Sequence, residues 1–297
     1  MQHIPVLLKE TVDALNLKSG DIVLDGTLGG GGHTTEIAKR MADRVKIIGL
    51  DLDKDALQRA EDKLSKIPHD ATFRVANFEN ADEVLDDLHI VHVDSAMLDL
   101  GISSFQLEVA GRGFSFQKDE PLLMTMKKSP DANDITALDI VNTWKEETIA
   151  DIIYGYGEEK YARKIARAIV AHRQDKPFAT TKDLADLVVA TVGKSYGRSK
   201  IHPATKTFQG LRIAVNSELA SIENAIPKIF DRLKSGGRFA VISFHSLEDR
   251  IVKHSFNKFI KQGSGIGITK KPITPSIEEL QINPRARSAK LRIIEKK

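Results

Sequence analysis

Residues 24–35 read LDGTLGGGGHTT, and the fold turns on this stretch. An apolar run with strand character, Asp21–Asp25 (DIVLD), leads into it, and helical periodicity over Thr34–Ala42 leads out. Consecutive glycines, Gly29 to Gly32, at a strand-to-helix junction let main chain approach a ligand closely. Dinucleotides and S-adenosylmethionine are both bound at such turns. The dinucleotide fingerprint G-x-G-x-x-G fails here: from Gly29 its third glycine falls on Thr34, and from Gly26 its second falls on Leu28. Asp25, ending the strand, suits the positive sulfonium and ammonium of S-adenosylmethionine better than a pyrophosphate. Asp51 in GLDLD ends a second apolar run, where either cofactor class would present ribose hydroxyls.

Outward from this turn, strands and helices alternate. Strands are expected at Val45–Asp51, Ala71–Val75 and Val93–Leu100, and helices at Asp53–Ile67 and Glu79–Leu88. Short connections between them predict a parallel sheet covered by helices. From 106 to 207 the pattern carries no strand. Helical spacing appears over Ile135–Trp144, Glu147–Tyr154, Glu159–Arg173 and Lys182–Val192. A long helix is read over Phe208–Lys234, ending at Ser235-Gly236-Gly237. A strand at Arg238–Phe244 and a helix from Ser246 follow, the latter opened by an S-x-x-D cap. The glycine-rich stretch 263–276 reads as mobile, and Ala289–Glu295 as a last strand. The fold class is therefore α/β, a Rossmann-like sheet with a helical insertion between its fourth and fifth strands. Residues 1–108 and 208–297 are expected to form the cofactor-binding domain, and 109–207 the insertion.

The 297-residue chain has no cysteine, so disulfides, thiolate metal sites and cysteine nucleophiles are excluded. The start, MQHIPVLLKE, lacks a leader pattern, and no apolar run has the length of a membrane span. A cytoplasmic protein without a membrane partner is the expectation. Net charge is +3, unevenly spread. Residues 1–105 carry 11 Lys/Arg against 19 Asp/Glu, residues 160–212 carry 12 against 3, and residues 281–297 carry 6 against 1. An acidic front with a basic middle and tail suits a small ligand in one region and a polyanion in others, or else solvated helix faces. No Asp/Glu/His cluster has convincing metal-ligand spacing.

Longer motifs carry a family resemblance. They are DGTLGGGGHT (25–34), LDLGISSFQL (98–107), GRGFSF (111–116), YGEEKYARKIARAIV (156–170), HPATKTFQGLRIAVNSEL (202–219), SFHSLEDRIVK (243–253) and NPRARSAKLR (283–292). In this order and over the whole chain they resemble the ribosomal RNA small subunit methyltransferase H family, also called MraW. The resemblance implies a Rossmann-like methyltransferase that uses S-adenosylmethionine to methylate the exocyclic N4 of a cytidine in the decoding region of 16S ribosomal RNA. The small ribosomal subunit is then the partner, and a homodimer is compatible with it. Carried over by position, the cofactor contacts fall on Gly31, Gly32, His33, Asp51, Phe78, Asp99 and Gln106. Asp99 could contact the cofactor, activate N4, or both.

The resemblance leaves two departures. Where many members read close to P-L-D-M-R-M-D, this chain has Leu123, Thr125 and Lys127 in place of the charged residues. Where many have arginine, it has Gly30. For RNA, Arg163, Lys164, Arg167 and Arg173 recur on one helix face, with Lys194, Arg198, Lys200 and Lys206 in or beside the loop before HPAT. Phe105, Phe114 and Phe116 are candidates to stack a base. Methylation of another substrate, and a cofactor-holding RNA-binding module with little turnover, are the competing readings. An NAD enzyme ranks last.

Overall fold

The computed structural model describes residues 4–102, 105, 107, 111–127, 130, 133–197 and 201–297. Two compact units are present, Met1–Gly101 with Leu219–Lys297, and Ile102–Glu218.

In the first unit, β1 (Ile22–Asp25), β2 (Lys46–Asp51), β3 (Asp70–Val75), β4 (Val93–Asp99), β5 (Leu233–Ser243), β6 (Gly265–Gly267) and β7 (Lys290–Lys296) form one sheet. Its order is β3-β2-β1-β4-β5-β7-β6. The first five strands run parallel, while β7 lies antiparallel between β5 and β6. Each parallel pair needs a crossover, supplied by α2 (Gly32–Met41), α3 (Lys54–Leu64) and α4 (Ala81–Asp87). The connection from β4 to β5 carries the whole second unit and then α10 (Glu218–Asp231).

Neighbouring residues on each strand serve opposite layers. Leu24, Ile48, Leu98 and Val241 pack with α4, α10 and α11 (Ser246–Lys261), while Val23, Ile47, Met97 and Ile242 pack with α1 (Leu8–Leu15) and α2. Both faces are covered, so the strands read as unbroken apolar runs rather than alternating ones. The rings of Phe230 (α10) and Phe259 (α11) stack at 4.0 Å in the first of these layers.

The second unit contains α5 (Ala137–Thr143), α6 (Glu146–Gly155), α7 (Ala162–Asp175), α8 (Thr181–Tyr196) and α9 (Thr205–Asn216), and no strand among its described residues. Thr136 with Asp139, and Thr180 with Asp183, close capping boxes at the starts of α5 and α8. Ile140, Ile149, Ile153, Ile165, Ile169, Leu184, Val188 and Leu211 form its core. A Cβ on Gly210 would lie 3.0 Å from the Ile152 carbonyl, so α9 packs close against α6 only because that position is bare.

Several elements differ from expectation. The helix read over 208–234 is two helices, because Ser217 is left-handed (φ 50°). Asn216 just before it accepts from the Met126 amide and donates to the Met124 carbonyl, at 2.8 and 2.7 Å. The apolar spacing runs on through this break, which is why the sequence hides it. As a result α9 belongs to the helical unit. Ser235-Gly236-Gly237 does not end a helix but lies inside β5, where the register with β4 shifts. A Cβ on Gly237 would stand 2.8 Å from the Asp94 carbonyl. The 263–276 stretch is ordered along β7: β6 pairs with it, and Ile273 bridges to Leu291. Main-chain bonds do this work, so side-chain pattern gives no sign of it.

Replacing Phe230 by Ala removes a ring that is 2% exposed. A loss of about 3–5 kcal/mol is expected, read as a lower urea midpoint for the first unit.

Candidate active site

The strand order reverses between β1 and β4, and ligands of open parallel sheets bind outside the carboxyl ends at such a point. Three strands end there in aspartate: Asp25 on β1, Asp51 on β2 and Asp99 on β4.

The glycine turn is held by Asp51, whose two carboxylate oxygens accept the amides of Gly29 and Asp53, each at 2.8 Å. Gly29 and Gly31 are left-handed (φ 53° and 69°). A Cβ on Gly31 would come within 2.9 Å of Ala60 on α3, and one on Gly32 within 2.3 Å of Pro5. These two glycines are therefore required by packing within the protein as well as by any ligand. Gly30 has room, with only the Lys63 ammonium at 3.5 Å from a built Cβ. Gly26 is confined by Leu98 and by Phe78, which follows β3 and is half-buried at the same edge.

Two threonines that the sequence reading passed over complete the frame. Thr27 Oγ1 accepts the Asp99 amide at 2.6 Å, and Thr34 Oγ1 donates to Asp25 at 2.6 Å. Their position flanking the glycines was the available signal. His33, 5% exposed at the start of α2, bonds the Val6 carbonyl through Nε2 at 3.2 Å. Its Nδ1 stands 3.8 Å from Asp99 Oδ2. Asp99 Oδ1 is buried and has no hydrogen-bond partner.

Gly31, Gly32, His33, Asp51, Phe78 and Asp99 thus converge on one sheet edge. Gln106 lies outside the described residues. The helix after β5 is capped by His245 rather than Ser246: His245 Nδ1 accepts the Glu248 amide, and Glu248 accepts the His245 amide in return. The S-x-x-D pattern misled by one residue, because an imidazole nitrogen caps as a hydroxyl does.

Charge at this edge is costly. Burial pushes the Asp25 carboxyl up to about 6, against the lowering effect of Thr34 and the Thr27 amide. It pushes Asp99 up to about 8, with the charges of Asp25 and Glu248 adding to the effect. Burial also raises Asp51. A cluster of carboxylates, one buried and two partly buried, with little to compensate their charge suits a cationic ligand.

The MraW methylase family matches this chain over residues 1–297. The chain belongs to that family. Proteins called ribosomal RNA small subunit methyltransferase H are 47% identical over 309 residues in Carboxydothermus hydrogenoformans and 46% over 313 residues in Magnetococcus marinus. These alignments cover 99% of this chain and 97% and 98% of the respective relative. An rRNA methylase structure from Streptococcus thermophilus is similar at a TM-score of 0.47 and 15% identity, covering 99% of each chain. The family is one of S-adenosylmethionine-dependent rRNA methyltransferases. The carboxylate edge, the open Asp99 oxygen and the glycine turn fit that cofactor.

Two outcomes are expected. Gly32→Ala, which collides with Pro5, should lower both the melting temperature and cofactor affinity, whereas Gly30→Ala should change neither measurably. Asp25 and Asp99 hold protons in the folded state at pH values where the unfolded chain, with pKa near 3.8, has lost them. Stability of the ligand-free protein should therefore fall as pH rises from about 4 to about 8. Asp99→Asn should flatten that fall in melting curves taken across the range.

Proposed function

We propose that this protein transfers the methyl group of S-adenosylmethionine to the N4 of a cytidine in the decoding region of 16S ribosomal RNA, acting in the cytoplasm on the small subunit. The observation that carries the reading is the buried, unpartnered Asp99 Oδ1 at the switch point, beside the glycine turn. The cofactor supplies an electrophilic methyl on a positive sulfur. Cytosine N4 is a weak nucleophile, because its lone pair is delocalised into the ring. A carboxylate accepting an N4–H hydrogen bond raises electron density there and stabilises the positive charge that develops as the N–C bond forms. In this reading Asp99 takes that role, Asp51 holds the ribose and Phe78 lies near the adenine.

For RNA, the basic face divides. Arg163, Lys164 and Arg167 are exposed on α7 and are the proposed phosphate contacts, together with exposed Lys194. Arg173 instead donates to the Val141 carbonyl, and Lys206 to the Glu158 carbonyl, so both serve the fold. Arg198 and Lys200 lie outside the described residues. Phe114 is a core residue, while half-buried Phe116 stacks on His202 at 4.5 Å and is the better candidate for a base. The tail motif NPRARS divides similarly: Asn283 and Ala286 are buried, and Arg285 and Arg287 exposed. The departures at 121–127 leave an ordered segment, in which Lys127 pairs with Asp134 at 2.8 Å and Thr125 is buried.

Small subunits from a strain lacking the endogenous enzyme, incubated with labelled cofactor, should yield N4-methylcytidine by mass spectrometry. Asp99→Ala should lower that yield by about 100-fold or more. Label on a different nucleoside would assign another substrate, and cofactor binding with no transfer would make the protein a binding module. Neutralising Arg163, Lys164 and Arg167 together should weaken RNA binding and reduce the salt slope by about two.

A further inference from the structure

The chemistry around His33 and Asp99 leads beyond the transfer reaction. A carbonyl can only accept, so the bond from His33 Nε2 to the Val6 oxygen requires hydrogen on Nε2. In a neutral ring Nδ1 is then an acceptor, and it faces Asp99 Oδ2 at 3.8 Å. An ionised Asp99 beside a neutral His33 would set two acceptors against each other. One more proton, on either group, removes that conflict.

Resting on the reading above, we propose that the His33–Asp99 pair holds a proton in the ligand-free protein and gives it up to solvent when a sulfonium binds, so that the pair distinguishes the cationic methyl donor from its neutral thioether product.

The carboxyls around the pair add weight to this. Asp25 comes from β1, Glu248 from α11, and Asp51, from β2, acts on Asp25 in turn. Among the described residues no lysine or arginine pairs with Asp25 or Asp99; Arg59 acts on Asp51. Asp25 is already engaged by the Thr34 hydroxyl and the Thr27 amide. Glu248 accepts the amides of Phe244 and His245. Asp99 Oδ1 is buried with no hydrogen-bond partner, whereas Glu248 has the two amides and His245 Nε2 at 3.1 Å, so Asp99 is the carboxyl of this group with least to stabilise its charge. Its affinity for protons, raised to about 8, agrees.

A positive sulfur beside Asp99 replaces the proton as the compensating charge. Methyl transfer breaks the C–S bond as the N4–C bond forms, the electron pair stays on sulfur, the positive charge there disappears, and N4 sheds one proton. The pair is then uncompensated and takes up a proton, from N4 or from solvent. The site is thereby built to hold the donor more tightly than the product, and the preference grows as pH rises.

Isothermal titration in two buffers of different ionisation enthalpy measures the protons released on binding. At pH 7, the wild type should release about one proton more with S-adenosylmethionine than with S-adenosylhomocysteine. In Asp99→Asn that difference should vanish. The ratio of wild-type to Asp99→Asn affinity for S-adenosylmethionine should rise by up to about tenfold per pH unit between pH 6 and 8, while the same ratio for the thioether stays flat. Taking the ratio cancels titration of the ligand's own amine. Asp25→Asn, which removes a neighbouring carboxyl, should move the transition to lower pH. Equal proton release with the two ligands, or a difference that persists in Asp99→Asn, overturns the proposal while leaving the proposed function standing. Failure of the wild type to bind either ligand overturns both.

Discussion

One half-buried carboxylate organises the ligand edge of the sheet. Asp51 takes the amides of Gly29 and Asp53 at 2.8 Å each, and so ties the first strand's turn to the end of the second strand. Charge-assisted bonds of this kind are about twice as strong as neutral ones. With the turn held, α2 starts where it does, His33 reaches Val6, and Thr27 reaches the Asp99 amide. The same carboxylate is the proposed ribose contact.

Around that anchor the protein gathers aspartates that stability alone would disperse. Asp25, Asp51 and Asp99 are all pushed towards their neutral forms by burial. Elsewhere the same chain handles charge conventionally. Asp249 takes both Lys290 and Arg292, at 2.9 and 2.7 Å, and is held below the usual carboxylate range by them, which fastens α11 to β7. Arg212 and Glu218 make a two-point pair within the helical unit. At the switch point no lysine or arginine among the described residues pairs with Asp25 or Asp99, and an incoming positive charge would compensate them.

The helical unit lies in the chain on the crossover between β4 and β5. Its own core of isoleucines and leucines, its capping boxes and its close α6–α9 crossing are local devices that do not draw on the sheet. Basic residues were free to collect on α7 because its buried stripe, Ala162, Ile165, Ala166 and Ile169, leaves the opposite face to solvent.

By itself the sequence determined the first four strands to within a residue or two, the helices between them, the helical character of the insertion and the aspartates at the strand ends. Those signals are local: an apolar run, a 3.6-residue period or a glycine cluster reports on its own segment. It also singled out Gly31, Gly32, His33, Asp51, Phe78 and Asp99, through the glycine turn and the family motifs. Only the tertiary structure decided that Ser217 breaks a helix whose apolar period never falters, that Gly236 and Gly237 sit inside a strand, and that the 265–273 stretch lies along β7. It alone decided which basic residues are used inside the fold, and that Thr27, Thr34 and Glu248 belong with the aspartates. Each of these depends on a partner distant in the chain, and on what burial beside other carboxylates does to a charge. No window of neighbouring residues contains that information.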